Sequence, residues 1–477
     1  MRSRRPLILA TVLAAFVAMG AGAYVWRAAQ LQRMVAPALP APPDLSAVPD
    51  GLRDRILAAN EKARGRFGAL AGLRQLSRYY HANGFPDEAL ACYSLLQQLE
   101  PRVARWPHLA AHLIAGYGEL EPAIEAWRRV TSLDPSYAPA WLRLGDTLLK
   151  ANQPAKAEAA YREVLRISPD DAYALFGLAR LDFEAERWED ARQKLETVVQ
   201  RTRFTLGYDL IVNLYERLGQ RDRATAIRAS AKASGAYRDP ADPWLDELIE
   251  DCFEPYRLSL AAGTVARQGD PVSAVRLLER AVELVPNDVS AVFQLGTLLA
   301  SQGDVAGAIQ HLRRCTELAP DFSDGWAHLS SLQAQIGEHA AAERTLAAGL
   351  KNCPDSPGLH LQHARGLQQA GRTGEAIAAF RNSIRLRPNE PDAYVELGNL
   401  FIRQGRNAEG LAEMQRALEA EPGHPMALSV LTFNAIATGD ENEARRWFAA
   451  LRTQPRVPRE QAGRLVDAFR QKFGRAP

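Results

Sequence analysis

The sequence predicts an all-α solenoid of about eleven helix-turn-helix units in two arrays. Three observations support this prediction. Prolines recur every 34 residues, small and aromatic residues recur at fixed places within that period, and small apolar residues are abundant while Val and Ile are modest. A unit of this length cannot bury its apolar face alone, so the fixed period indicates stacked helix pairs rather than separate globular domains.

The chain begins with a segment, residues 1–27, that is typical of membrane targeting. Three arginines within the first five residues precede an uncharged run from Pro6 to Trp26, whose 21 residues suffice to cross a hydrocarbon core of roughly 30 Å. Basic flanks stay cytoplasmic, so we expect a single-pass inner-membrane helix with a cytoplasmic N-terminus and a periplasmic body. The alternative is a signal peptide cleaved near Ala23, which would leave a secreted or periplasmic protein.

Residues 28–67 are predicted to be a proline-rich linker followed by a lead-in helix. Five prolines fall between Ala36 and Pro49. Closely spaced prolines favour an extended, semi-rigid chain. The linker is therefore expected to hold the body away from the bilayer.

Two series of prolines define the period of the repeat. The 117 residues between the two series equal three periods plus 15, which accommodates two units without the proline and one insertion of about 15 residues. The series are Pro101, Pro135 and Pro169, and then Pro286, Pro320, Pro354, Pro388 and Pro422.

The third unit shows the motif most completely. Gly145 and Ala157 have little or no side chain where two helices must approach closely, and Tyr161 is expected to fill the layer between neighbouring units. Pro169 ends the second helix because proline cannot continue the hydrogen-bond ladder. The full motif is Trp141-x2-Leu144-Gly145-x2-Leu148, then Ala157-x3-Tyr161, then Pro169.

This motif resembles the tetratricopeptide repeat (TPR), and the resemblance extends over roughly residues 68–456. It implies paired antiparallel helices whose first members line a concave face that binds other proteins. The implied domains are a first array at 68–234, an insertion at 235–257, a second array at 258–456 and a C-terminal capping helix at 457–477.

The insertion interrupts the 34-residue rhythm. Leu245, Leu248, Ile249 and Phe253 predict a short amphipathic helix within it. Two interpretations are open: a spacer helix that covers the seam between the arrays, or an element that docks a partner.

Composition and motifs argue against several classes of function. Lys and Arg number 58 and Asp and Glu number 56, so no global charge favours nucleic acid. Four cysteines without a CxxC pair do not predict zinc or redox chemistry. His108 and His112 are spaced to share a metal ion, but no carboxylate or cysteine cluster accompanies them, and no metal is predicted. Because no nucleotide-binding or hydrolase motif stands in a fitting context, we expect neither catalysis nor a cofactor.

The TPR resemblance places a basic and aromatic set of residues on the concave face of the first array. Such a face could bind an extended acidic or aromatic peptide through charge-assisted hydrogen bonds and stacking; the alternative is a solvated basic surface. The candidate residues are Arg74, Arg78, His81, Arg105, His108, His112, Arg143, Tyr173, Phe176, Arg180 and Phe183.

The function expected from the resemblance is a membrane-tethered scaffold that gathers partner proteins in an envelope assembly or biogenesis complex. The alternative is an accessory subunit of a separate enzyme, such as a cytochrome or glycosyltransferase system. No stretch of sequence outside the repeats is long enough for a catalytic domain.

Overall fold

The computed structural model describes residues 5–202, 204–231, 240–452, 454 and 459–477. Within its helices, the side chains at 5–18, 229–231, 459 and 461 are not described. In this part of the chain the secondary structure is helical and no strand occurs, which confirms the prediction of an all-α solenoid. The chain divides into two compact units, residues 1–257 and 258–477.

Within its described residues, the first unit contains five successive helix pairs. Two helices precede the pairs, α1 (Arg5–Val35) and α2 (Asp50–Arg64). The pairs are α3 (Ala69–Ala82) with α4 (Pro86–Leu99), α5 (Arg105–Gly116) with α6 (Leu120–Leu133), α7 (Ala138–Lys150) with α8 (Pro154–Ile167), α9 (Ala172–Glu184) with α10 (Trp188–Arg201), and α11 (Thr205–Arg217) with α12 (Arg221–Ala231). After them come a one-turn helix, α13 (Pro243–Asp246), and a 3-10 helix, Glu247–Asp251.

In the residues that the structure describes, six pairs and a final helix follow, and the first of these helices begins three residues before the second unit. The pairs are α14 (Pro255–Arg267) with α15 (Pro271–Leu284), α16 (Val289–Ser301) with α17 (Val305–Leu318), α18 (Ser323–Gln335) with α19 (His339–Asn352), α20 (Pro357–Gln369) with α21 (Thr373–Leu386), α22 (Pro391–Arg403) with α23 (Asn407–Ala420), and α24 (Pro425–Thr438) with α25 (Glu441–Arg452). The final helix is α26 (Arg459–Phe473), which packs on α24.

Helix α26 buries one face and exposes the other. Phe469 is fully buried and Leu465 nearly so, whereas Arg464 and Arg470 are exposed. A solenoid needs such a polar outer face at its end, because its last pair would otherwise leave apolar side chains in water.

A left-handed residue joins the two helices of each of the eleven described pairs. Glycines with φ between 71° and 92° occupy this position in nine of the described turns, for example at Gly303 and Gly405. Asn152 and Glu186 hold the same place in the third and fourth pairs, each with a φ of 57°. Only glycine adopts this region without steric cost, so the position of Glu186 is strained.

Tyr161 is fully buried in a tightly packed part of the first unit. A Cβ atom on Gly145 would lie 2.7 Å from the Tyr161 ring, and one on Gly177 would lie 2.5 Å from it. The tyrosine therefore fills the space between two successive pairs because both neighbours lack a side chain. Its hydroxyl donates a hydrogen bond to Asp146 at 2.7 Å.

The N-terminal region differs from the predicted spacer. Helix α1 continues through residues 28–35 and contacts α2 and α3. Leu39 and Leu45 of the linker are buried, and Gln32 Nε2 donates to the Arg64 carbonyl at 2.9 Å. Helix α1 ends at Val35, before the first proline of the linker, and Arg64 Nη1 donates a hydrogen bond to the Ala36 carbonyl at 3.4 Å, so the linker packs on the protein.

The predicted membrane span falls largely on residues 1–18, which lie outside the part of the chain whose side chains are described. Among the described residues, none of the helices combines the length and the apolar character that crossing a membrane requires.

Candidate functional site

The first helices of the first three pairs, α3, α5 and α7, form one face of the first unit, which we call the first-array groove. The chain's own segment 242–253 occupies it: α13 contacts α5, and the 3-10 helix Glu247–Asp251 contacts α3. The predicted amphipathic element is therefore present as two short helices. It lies along the groove of the first array, and this contact is not visible in the period of the sequence.

One end of the segment is buried in an aromatic cage. Asp242 is 2% exposed, and its Oδ2 accepts a hydrogen bond from His108 Nε2 at 2.8 Å. Its Oδ1 accepts one from the Tyr137 hydroxyl at 2.6 Å. Trp244 stacks on the Tyr137 ring with centroids 3.6 Å apart, and its backbone N–H donates to the Tyr137 hydroxyl at 3.2 Å. The cage thus recognises a carboxylate and an indole two residues apart.

Burial and polar contacts oppose each other at Asp242. Burial would raise the pKa of this carboxyl, but the hydrogen bond and charge of His108 and the hydrogen bond of Tyr137 outweigh it and leave the pKa below its ordinary value. The groove therefore favours the ionised carboxylate. For Tyr137, burial and the bond to Asp242 raise the pKa, so its hydroxyl stays protonated as a donor.

The middle of the segment is held by arginines. Arg105 Nη2 lies 2.6 Å from Glu247 Oε2, and Arg78 Nε lies 2.6 Å from Asp251 Oδ2. These pairs are partly exposed, so each contributes about 0–1 kcal/mol. Together they set the direction in which the segment crosses the groove.

Asn83 binds the backbone of the segment rather than a side chain. Its Nδ2 donates to the carbonyl of Asp251 at 2.8 Å, and its Oδ1 accepts from the N–H of Phe253 at 2.6 Å. The Phe253 ring is buried and lies 5.1 Å below the Arg55 guanidinium. A primary amide that pairs with both groups of a peptide backbone can hold any extended chain, whatever its sequence.

The other predicted histidines, His81 and His112, lie beneath the groove, where His81 is buried and His112 is half-buried. His81 Nδ1 lies 3.0 Å from the Tyr93 hydroxyl, and the His81 ring lies 5.8 Å from that of His112. Burial, reinforced by His112, Arg257 and His108, lowers the pKa of His81 to about 3. His81 is therefore neutral at physiological pH and belongs to the core beneath the groove.

The other predicted residues lie in two places. Arg74 pairs with Glu100, whose carboxylate also accepts from Trp106 Nε1, so Arg74 is engaged within the array. Further along, α9 carries the exposed Arg180, whose guanidinium lies 5.9 Å from the Phe176 ring.

Aromatic side chains continue along this part of the face. Tyr173 and Phe176 pack on Phe204, and Phe183 packs on Trp188. Arg143 lies near the carboxylates of Asp242 and Asp246 and contributes to their electrostatics. The predicted set is thus divided between an occupied stretch of the groove on α3, α5 and α7 and a continuation on α9.

Sequence reasoning missed the partners of these residues. Tyr137, Asn83, Asp242 and Trp244 were not among the candidates, although they make most of the short contacts. Charge complementarity was the available signal: residues 240–254 include six acidic residues and no Lys or Arg, whereas the groove was predicted to be basic.

Metal chemistry finds no donor set in the described residues. No group of three or more His, Cys, Asp or Glu side chains there is placed to hold a metal ion. His108 directs Nε2 at Asp242 rather than toward His112. The spacing of the two histidines therefore serves packing and segment binding.

Comparison with known families agrees with the repeat register. Two family models described as tetratricopeptide repeat match the chain, one over residues 118–172, 262–321 and 361–425, and the other over 148–211 and 299–364. Together they cover residues 118–211 and 262–425, more than half of the chain.

Similar proteins include two curated relatives. The human protein O-mannosyl-transferase TMTC1 is 35% identical over 137 residues, 27% of this chain and 15% of that protein. The cellulose synthase 1 operon protein C of Komagataeibacter xylinus is 29% identical over 225 residues, 44% of this chain and 15% of that protein. The matches thus span only about 15% of the length of these relatives. Among solved structures, MamA is 22% identical with a TM-score of 0.31, covering 34% of this chain and 94% of the MamA chain.

Proposed function

Because the chain belongs to the tetratricopeptide-repeat family, we propose that it is a scaffold whose grooves bind extended segments of partner proteins, in an assembly or biogenesis complex of the cell envelope. The observation that carries this proposal is the occupied first-array groove. A carboxylate cage, two arginines and an asparagine that pairs with backbone groups are arranged around a peptide segment. A surface that holds one such segment has the chemistry needed to hold another.

A second candidate function is an accessory subunit of a separate enzyme, in particular a glycosyltransferase system. Both curated relatives carry names that refer to sugar-transferring enzymes. The matched portion of each is only 15% of its length. The role taken from them is therefore that of a repeat module beside an enzyme, not catalysis by this chain. A cytochrome system is the other enzyme class that the layout suggests.

We also propose that the N-terminal segment tethers the protein to the inner membrane, with the repeats in the periplasm. Tyr24 and Trp26 are 61% and 64% exposed where the apolar run ends, and the exposed Phe67 of the α2–α3 turn stacks beside Tyr24. Arg66 lies 5.8 Å from the Phe67 ring. Aromatic and basic side chains at one level suit a membrane interface. Cleavage near Ala23 is the competing fate.

Reporter fusions test this attachment. A phosphatase that is active only after export should be active when fused after Pro49, and a fluorescent protein that folds only in the cytosol should be dark there. The opposite pair of results would reverse the proposed orientation. A shortened N-terminus on protein released by mild washing would show cleavage instead of anchoring.

Site-specific photocrosslinking in cells tests the scaffold function. A photoreactive residue is placed on first helices, at Arg180 or at the exposed Phe433 of α24, and as a control on second helices, at Arg128 or Arg162. We expect adducts with partner proteins at the first two positions and none at the controls. Equal adducts at all four positions, or none at Arg180 and Phe433, would reject groove binding.

A further inference from the structure

We infer that segment 242–253 is an exchangeable internal ligand, and that the external partner of the first-array groove is an acidic segment with an aspartate two residues before a tryptophan. This inference rests on the proposed protein-binding function and names its ligand. The segment acts as a competitor that the partner must displace.

The chemistry of the partner follows from the buried end of the segment. The Asp242 carboxylate and the Trp244 indole occupy a cage whose other walls, His108, Tyr137 and Trp127, belong to the array. Two donors converge on the carboxylate, and a buried donor left without an acceptor is unfavourable. A partner must therefore supply a carboxylate at this point and an aromatic ring for the face of Tyr137.

Charge sets the rest of the requirement. Glu247 and Asp251, three and seven residues after Trp244, meet Arg105 and Arg78. The segment carries no basic residue, and like charges opposite these arginines would be unfavourable. Asn83, by contrast, forms hydrogen bonds only with backbone groups of the segment. The preferred ligand is thus acidic along its length, and the cage is the main place where the groove selects particular side chains of the ligand.

The segment is short enough to leave the groove as one piece, although its Leu248, Cys252 and Phe253 are also buried. It consists of a four-residue helix and a five-residue 3-10 helix, and among the described residues no backbone–backbone hydrogen bond joins it to the array. Its attachment to the chain gives an effective concentration on the order of millimolar. An external ligand therefore binds only to the fraction of molecules in which the segment has left the groove. The apparent affinity of the ligand is reduced by that fraction.

A peptide-binding experiment on the full-length protein tests the inference. The probe is a fluorescein-labelled peptide with the sequence of residues 240–254, kept reduced and followed by fluorescence anisotropy. The proteins are the wild type and the segment variant Asp242→Ala with Trp244→Ala. We expect the segment variant to bind the peptide roughly tenfold or more tightly than the wild type, because its own segment no longer competes.

Two controls identify the site. The same peptide with alanine at both anchor positions should bind neither protein. Adding Arg78→Glu and Arg105→Glu to the segment variant should abolish binding of the unaltered peptide, and circular dichroism should show that this protein remains helical. These two arginines are partly exposed, so their replacement spares the core.

Three outcomes overturn the inference. The first is equal affinity of the wild type and the segment variant for the peptide, and the second is no binding by the segment variant at millimolar peptide. The third is a wild-type dimer that dissociates in the segment variant, because the segment would then be exchanged between two copies of the chain. If crosslinking at Arg180 and Phe433 succeeds while the peptide fails, the scaffold function stands and only this ligand assignment falls.

Discussion

Tyr137 and Trp244 lie face to face, with ring centroids 3.6 Å apart and planes within 10° of parallel, although 107 residues separate them in the chain. Tyr137 immediately precedes α7, and Trp244 lies in the insertion that follows the fifth helix pair. One aromatic contact thus connects the repeat to the segment that interrupts it.

Trp244→Ala should release the segment without unfolding the array. The substitution removes a stacked ring, and an aromatic pair contributes about 0.5–1.5 kcal/mol beyond the area it buries. Amide hydrogen exchange across residues 242–253 should accelerate roughly tenfold, since about 1.4 kcal/mol corresponds to that factor. Phe433→Ala, which truncates an exposed ring in the second unit, is the control and should leave this exchange unchanged. Unaltered protection in Trp244→Ala would show that the stack does not hold the segment.

Gly145→Leu should destabilise the first unit through the ring of Tyr161. Even a Cβ at this position would approach the ring to 2.7 Å, and overpacking of this kind costs about 1–3 kcal/mol. Denaturant unfolding should report the loss, and Gly116→Ala, where nothing lies within 4 Å, should have little effect. Because repeats contact only their neighbours, protection in the second unit should persist. Loss of protection throughout both units would contradict that one-dimensional picture.

Glu186→Gly should stabilise the protein. Glu186 has a φ of 57° in a turn where other pairs place glycine, and a left-handed non-glycine residue costs about 1–2 kcal/mol. Part of this gain is offset by the greater freedom of glycine in the unfolded chain, so we expect about 0.5–1 kcal/mol. Asn152→Gly should give less, because asparagine tolerates this conformation better. Gly303→Ala, the reverse change in an equivalent turn, should lower the free energy of unfolding. If Glu186→Gly also lowers it, the contacts of the glutamate side chain contribute more than the strain of its backbone costs.

The first unit should lose stability in mild acid through His81. Its pKa is about 3 in the folded protein, against an ordinary value of 6.5, so the unfolded chain binds more protons at intermediate pH. Stability from this group is complete above about pH 6.5 and declines as pH falls toward 3, by about 2 kcal/mol at pH 5. The free energy of unfolding, measured by denaturant at pH 7 and pH 5, should fall less in His81→Gln. An identical decline in both proteins would assign the acid sensitivity to other groups.

Much of the architecture could be predicted from the residues. The proline period, Gly145, Ala157 and Tyr161 indicated helix pairs and their register, since these positions report contacts within a pair or between neighbouring pairs. The apolar residues of the insertion likewise predicted a short helical element. For the linker, the sequence predicted a proline-rich spacer but not the burial of its Leu39 and Leu45.

The candidate site was less predictable. Arg78, Arg105 and His108 were predicted from the repeat register as peptide-binding residues, but what they contact could not be read from it. Arg78 meets Asp251 across 173 residues of sequence, and Arg105 meets Glu247 across 142. No periodicity encodes a contact between a repeat and an insertion that occurs once.

The sequence by itself determined that this protein is a stack of helix pairs, because each pair needs the same small, aromatic and turn residues, and these residues therefore recur at the same interval. The tertiary structure alone decided that the first-array groove holds the protein's own acidic segment. That outcome depends on where the chain returns after its fifth pair, and on whether Asp242 and Trp244 reach His108 and Tyr137 at hydrogen-bonding and stacking distance. Such a distance is a property of the folded chain and not of local spacing.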